Sequence, residues 1–472
     1  MKQLRSFVAG DWVDGERTTV ARDTYTNEPV AEVHVPGQGQ VGEATRAVAA
    51  AQAEQQLTAY DRYRILARAS ELVLERAGEL VDSIVTDTGF TTVDARREID
   101  RTAQTLLLSG EEAKRLRGEV VPIDADPAAP ARVAFTVRRP VGVVCAITPF
   151  NSPLNTVAHK VAPALAAGNG VVLKPALQTP LTADLLLRVL LDAGLPAGLI
   201  SVLYGDGSTV GQWLLEDEVP AYYAFTGSTA VGEHIQRTIG VRRAQLELGS
   251  LASTIICHDA DLKRAAQLCV NAAFRKAGQV CTSVQRLYVH ESVVDDFTGA
   301  LRTALDGRGV GDPRDPATFV GPLIDEQAAE RVAGWVSTAA EQGAEVIVGG
   351  GRTDAVVQPT VLTNVAPDMN VMCREIFGPV VSIRPFTDVD AAIDEANDTP
   401  YGLAAGLFTA DIGRALHVAG RLRVGTVHVN ETSSARVDLM PFGGVKASGY
   451  GHEGPAYAIR DMTEETLLTL GP

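Results

Sequence analysis

Basic residues are in short supply: 42 Lys and Arg stand against 58 Asp and Glu, a formal charge of −16 over 472 residues. Nucleic acid needs a basic face to neutralise its phosphates, so the deficit argues against that class of partner. Cysteine is scarce as well. The five, Cys145, Cys257, Cys269, Cys281 and Cys373, are odd in number, form no Cys-x-x-Cys pair and lie near no histidine cluster of metal-ligand spacing. That argues against a disulfide framework and against a metal site. No apolar run approaches the ~18 residues that cross a bilayer. The opening stretch MKQLRSFVAGDWVDG, interrupted by Asp11 and Asp14, lacks the apolar core of a signal peptide. The expectation is a reduced, cytoplasmic protein with no membrane partner. Low-complexity tracts and internal repeats are missing too. What remains, 46% apolar and 21% charged residues, is the balance of a globular chain long enough for two to four domains.

Periodicity supplies the elements. Residues 60–85 place Ile65, Leu66, Ala69, Leu72, Val73, Leu80 and Val81 at helical spacing, which predicts one amphipathic helix. Residues 118–142 read as two strands joined by a Pro/Ala/Asp turn, the first arm short and broken by proline. From residue 142, short apolar runs (VGVVCAI, NGVVLKP, ISVLYG) alternate with helical stretches, the signature of a doubly wound parallel sheet. The pattern restarts after Glu247, giving a second α/β unit and a domain boundary near residue 248.

Several side chains sit where such sheets bind ligands, each with a structural alternative. Gly227 and Ser228 lie between a strand and a helix, where free N–H groups suit a pyrophosphate or simply form a turn. Lys174 ends a strand and can hold a ribose or phosphate, or be solvated. Glu247 ends another and can be a general base with a raised pKa, or an ordinary paired carboxylate. Asn151, between Pro149 and Pro153, can aim an amide at a developing oxyanion or form a turn. Cys281, in FRKAGQVCTSVQR, is flanked by glycine and small polar residues with Arg275 and Lys276 nearby. It is a nucleophile or a buried small hydrophobe.

In their order and spacing, the stretches ITPFNSPLN, AAGNGVVLKPALQTPLTA, FTGSTAVG, LELGS, GQVCTS, EIFGPVV, NDTPYGLAAGLFT and MPFGGVKASGYGHEG resemble the NAD(P)-dependent aldehyde dehydrogenase superfamily along essentially the whole chain. The resemblance implies an α/β protein: a Rossmann-like dinucleotide-binding domain over 1–117 and 141–247, an α/β catalytic domain over 248–440, and a small β oligomerisation arm from 118–140 and 455–472. It implies Cys281 as nucleophile, Glu247 as base and Asn151 as oxyanion donor. Lys174, Gly227, Ser228, Glu375 and Phe377 would bind the cofactor, and a homodimer or homotetramer would form. Many NAD-preferring members carry a glutamate three residues after the lysine. Here that residue is Leu177, so the cofactor is NAD or NADP.

Among relatives, the FN-x-PLN-x-VAHK pattern is most similar to members acting on small polar aldehydes, of the lactaldehyde, succinate semialdehyde and phosphono- or sulfo-aldehyde types. His159 matches a position where succinate semialdehyde members carry arginine, and Arg101 would add a cation at the entrance unless it pairs with Glu98, its i−3 neighbour. Thr432, Ser433 and Ser434 would line the outer wall for a compact hydrophilic aldehyde. Two rival readings are an acylating, coenzyme A-dependent enzyme and a catalytically silent scaffold. The first conflicts with the presence of Glu247, the second with Cys281, Glu247 and Asn151 together.

Overall fold

The short apolar runs become the strands of two parallel sheets in the computed structural model, which describes residues 1–128 and 132–471. The first sheet is built on β1 (Val143–Ile147), β2 (Gly170–Lys174), β3 (Ile200–Val202), β4 (Tyr222–Thr226) and β5 (Arg243–Glu247). β1, β2 and β3 are buried at every residue, as strands covered by helices on both faces must be. Their order is β5-β4-β1-β2-β3, with short antiparallel strands beyond each edge. The chain runs from β1 through β2 and β3 on one side, then crosses to lay β4 on the other. Strand order therefore reverses between β1 and β4, and the crevice at their carboxyl ends is where a doubly wound sheet takes its ligand.

The second sheet contains β6 (Ser253–Ile256), β7 (Arg286–His290), β8 (Thr360–Thr363), β9 (Val380–Phe386), β10 (Ala404–Phe408) and β11 (Thr426–Val429) in the order β8-β9-β7-β6-β10-β11. Four helices matter for the site: α1 (Thr92–Ala113), α2 (Asn155–Ala167), α3 (Thr229–Ile239) and α4 (Leu262–Phe274). A third, antiparallel sheet pairs Val133–Pro140 with Thr463–Leu470 in a register running from Thr463↔Pro140 to Leu470↔Val133, and with the two-residue strand Val120–Val121. The 118–142 hairpin thus has the short first arm read from its proline. Residues 129–131 of its turn lie outside the described residues.

The helix expected over 60–85 is two, Ala59–Glu75 and Ala77–Thr88. The chain bends at Arg76 (φ −99°, ψ 21°), whose guanidinium pairs with Asp192 at 2.5 Å. Periodicity alone carries no mark of that tertiary anchor. Among the described residues no helix is long and apolar enough to cross a membrane. Cys145, Cys257 and Cys269 are buried, Cys373 is exposed, and Cys281 stands between the two classes.

Candidate active site

A cavity of about 770 Å³ opens between the two sheets at the carboxyl ends of β1, β2, β4 and β5. Its walls include Lys174, Ser228, Glu375, Phe377, Asn151, Glu247 and Cys281. A larger cleft, about 1010 Å³, is lined by residues 19–25, 310, 311, 322, 324–326 and 353–356 among others and holds neither Cys281 nor Glu247.

Cys281 reaches the cavity by an unusual turn. After α4 ends, Lys276, Ala277 and Gly278 take φ of +52°, +51° and +70°, three left-handed residues in succession. Gly278 is obligatory: an added Cβ would lie 2.1 Å from the carbonyl oxygen of Gly378. The other two are strained, by roughly 1–2 kcal/mol each. Asp94 and Glu98 on α1 hold them: Asp94 accepts the Lys276 N–H at 3.1 Å, and Glu98 accepts the Lys276 ammonium at 2.5 Å. Burial pushes the Cys281 thiol up to about 12, against the pull of Arg436.

Asn151 follows β1, and its Nδ2 donates to the Gln279 carbonyl at 2.8 Å, leaving the second amide N–H for the cavity. The loop is held from α1, where Glu98 Oε1 accepts from the N–H groups of Leu154 and Asn155 and from the Ser152 hydroxyl, at 2.9–3.1 Å. A carboxylate there satisfies donors at the start of α2 that would otherwise be unpaired. Glu247 closes β5, 3% exposed, and neither of its carboxyl oxygens has a partner among the described residues. Burial, then the charge of Glu453, raises its pKa well above the ordinary value. Burial would raise Glu453 as well, but Lys160 at 3.1 Å and Arg436 at 2.7 Å overcome it and keep that carboxylate ionised. The pKa values of two neighbouring buried carboxylates are thereby pushed apart, Glu247 upward and Glu453 downward.

The residues read for the cofactor lie along one wall. Lys174 is 4% exposed, and its ammonium, pushed down to about 8 by burial, donates to the Pro175 carbonyl at 3.2 Å. Ser228 caps α3 through its hydroxyl, and the first-turn N–H groups behind it have no intrahelical acceptor. The Gly227 N–H is not among the free donors: it is taken by the Glu247 carbonyl at 3.0 Å and ties the β4 turn to the end of β5. Glu375, raised to about 7 by burial, accepts the Ser250 N–H with one oxygen, and its other oxygen lies towards Gly249. Phe377, itself left-handed at φ +47°, meets Phe150 edge-to-face at 6.0 Å. A buried ammonium, a helix N-terminus, a carboxylate with a spare oxygen and an aromatic wall are a donor set that fits ribose hydroxyls, a pyrophosphate and a flat nicotinamide ring. Leu177 packs against the core of the first sheet's domain, so no carboxylate stands three residues beyond Lys174.

At the opposite end the structure rearranges two expectations. His159 does not reach the cavity: it is fully buried in α2, and its Nε2 lies 2.8 Å from Asp438. Arg101 does line the cavity, but its guanidinium grips Asp438 at 2.6 and 3.2 Å rather than Glu98, which Lys276 occupies. Of Thr432, Ser433 and Ser434, the first two are buried, and only Ser434 lines the cavity, accepting from Arg275 at 2.7 Å. Sequence reasoning missed Arg97, Arg436 and Glu453, which also line it. Arg97 and Arg436 belong to no local motif that a linear reading can score, and Glu453 lies within MPFGGVKASGYGHEG, whose likeness to the family gives that carboxylate no role of its own.

Compared with known proteins, residues 12–467 match the model of the aldehyde dehydrogenase family. The chain is 46% identical over 470 residues to 3-sulfolactaldehyde dehydrogenase of Priestia megaterium, covering 100% of this chain and 98% of that one. It is 35% identical over 464 residues to lactaldehyde dehydrogenase of Methanococcus aeolicus, covering 97% and 98%. The solved structure of NADP-dependent glyceraldehyde-3-phosphate dehydrogenase from Bacillus halodurans with NADP superposes at a TM-score of 0.97, 34% identical, covering 100% and 99%. Aldehyde dehydrogenase 21 from Physcomitrella patens with its product succinate gives 0.96 at 35% identity, covering 99% and 98%.

Proposed function

The chain belongs to the aldehyde dehydrogenase family, and on that premise we propose that it oxidises a short aldehyde bearing a terminal sulfonate or carboxylate, 3-sulfolactaldehyde first among them. It is an NAD(P)-dependent oxidoreductase acting on small polar aldehydes. One observation carries the charge of the substrate: in a protein of net charge −16, Arg97, Arg101, Arg275 and Arg436 line the same cavity as Cys281. Arg101 and Arg436 are paired to acids, whereas the bond from Arg275 goes to the neutral Ser434 hydroxyl. A guanidinium without a bonded carboxylate among the described residues is set to take an anionic oxygen from outside.

In the chemistry assigned to these side chains, Cys281 adds to the carbonyl carbon as thiolate and the C=O π pair moves to oxygen. That oxyanion sits against the second Asn151 N–H and the Cys281 backbone N–H. The nicotinamide, when bound, supplies the acceptor for the hydride that the tetrahedral adduct releases. The thioester left on Cys281 meets a water whose proton passes to Glu247, the C–S bond breaks, and the carboxylic acid leaves.

Two results check this reading. Arg275→Leu is expected to raise KM for a sulfonated or carboxylated aldehyde by roughly 10–100-fold, the worth of one hydrogen bond to a charged group, while neutral aldehydes change by less than about threefold. A panel of short neutral, carboxylated, phosphonated and sulfonated aldehydes, each with NAD⁺ and NADP⁺, measures it, and equal loss on all substrates sinks the anion assignment. Turnover is also expected to rise with pH, because Glu247 must be ionised to accept a proton and burial holds its pKa above the usual ~4.3. A rate profile flat from about pH 5 to 9 would contradict Glu247 as base.

The same reading divides the chain into cofactor-binding residues 1–117 with 141–247, catalytic residues 248–440, and an arm of 118–140 with 455–472. Exposed Val133, Leu467 and Leu470 lie on that arm, and a homodimer or homotetramer formed through it, in the cytoplasm, is part of the proposal. Light scattering tests the oligomer; a monomer at micromolar concentration counts against it.

A further inference from the structure

We propose that Lys276, held by Glu98, is a positioning residue that pins the oxyanion loop to the nucleophile turn. The inference rests on the assignment of Asn151 as oxyanion donor and Cys281 as nucleophile. Lys276 Nζ donates to the Asn151 backbone carbonyl at 2.9 Å, and Asn151 Nδ2 donates back to the Gln279 carbonyl at 2.8 Å. Two hydrogen bonds of opposite sense thus join residue 151 to residues 276 and 279, and Cys281 lies two residues further on. One fixes the backbone of Asn151, the other its amide. Together they set where the remaining N–H of that amide points relative to the sulfur.

The arrangement explains why a lysine stands at a backbone conformation that glycine adopts without strain (φ +52°). Its ammonium is the counter-charge for Glu98, which is 3% exposed and gathers the N–H groups of Leu154 and Asn155 with its other oxygen. Burial lowers the Lys276 pKa, and the carboxylate beside it opposes that shift. A buried ion pair contributes little net stability, but it specifies geometry. Here one pair holds three segments in register: α1, the loop after β1, and the turn after α4.

Removing Lys276 alone would strand a buried carboxylate, so the test neutralises both partners. In Glu98→Gln/Lys276→Met, kcat is expected to fall about 10–100-fold, the order expected when a catalytic group is misplaced by about 1 Å. KM for aldehyde and cofactor should stay within about threefold, and iodoacetamide alkylation of Cys281 without cofactor, which develops no oxyanion, within about twofold. Restoring a donor in Glu98→Gln/Lys276→Gln is expected to return kcat at least about threefold towards wild type. The strap is overturned if the methionine form keeps kcat within about threefold, if alkylation falls in parallel with turnover, or if the methionine and glutamine forms are equal. Asn151→Ala, expected to lose on the order of 10²–10³ in kcat, separates the two levels. If it keeps wild-type turnover, the oxyanion assignment fails and the strap with it; if it is impaired while the methionine form is not, the strap alone fails.

Discussion

Replacing Cys281 with alanine is expected to cut aldehyde oxidation by about 10⁴–10⁶-fold, the range in which loss of a covalent nucleophile falls. An aldehyde has no good hydride to give until a nucleophile has added to it. No other thiol can substitute: Cys145, Cys257 and Cys269 are buried away from the cavity, and Cys373 is on the surface. Cys281→Ser is expected to be almost as inactive, since a hydroxyl is far less acidic than a thiol already pushed up to about 12. Fold and cofactor affinity should be retained, because the turn is shaped by residues 276–278 and their bonds to α1. Steady-state rates with a sulfonated aldehyde, beside fluorescence titration with the reduced cofactor, measure both. An alanine variant within tenfold of wild type would remove Cys281 from the mechanism.

The second large effect falls on thioester hydrolysis, the step after hydride transfer. Glu247→Gln keeps the shape of the side chain but cannot accept a proton, so adduct formation and hydride loss should proceed while hydrolysis stalls. The expected trace is a burst of one reduced cofactor per site, then a steady rate lower by roughly 10²–10⁴-fold, the span of general base catalysis. Stopped-flow absorbance resolves the burst, and intact-mass analysis should find the acyl group on Cys281. The variant should be no less stable than wild type. Glu247 has no hydrogen-bond partner to lose among the described residues, and it stands beside a carboxylate kept ionised by Lys160 and Arg436. A full steady-state rate in this variant would mean that another group activates the water.

The two strand-end residues, Lys174 and Glu247, were legible because each terminates an apolar run that only a buried strand explains, and the ends of parallel strands point into the ligand crevice. Cys281 and Asn151 were legible through their flanking glycine and prolines, which mark turns. Less could be read where tertiary partners decide. His159 lies on a helix buried at every residue but one, so no face of it could be singled out as pocket-facing. Arg101 could be read as an entrance cation or as a partner of Glu98 within its helix, but not as the partner of Asp438, 337 residues away, which binds it. Arg436 and Glu453 belong to a loop and a turn with no periodic pattern, and their meeting at 2.7 Å exists only once the second sheet has delivered the chain back to the first.

The small antiparallel sheet has a consequence for how the chain is made. Val133–Pro140 forms its long ladder with Thr463–Leu470, and 325 residues separate Arg138 from its partner Thr463. At roughly 5–20 residues per second, a ribosome needs on the order of 15–65 s to deliver the second strand after the first. Throughout that interval the 133–140 strand, attached to β1, waits with an open edge that can recruit another nascent chain. Delivery of the Thr463–Leu470 strand is therefore a quality-control point. Chains cut before Thr463 should expose that edge permanently and partition to the aggregated fraction, although every residue lining the cavity, as far as Glu453, has already been made.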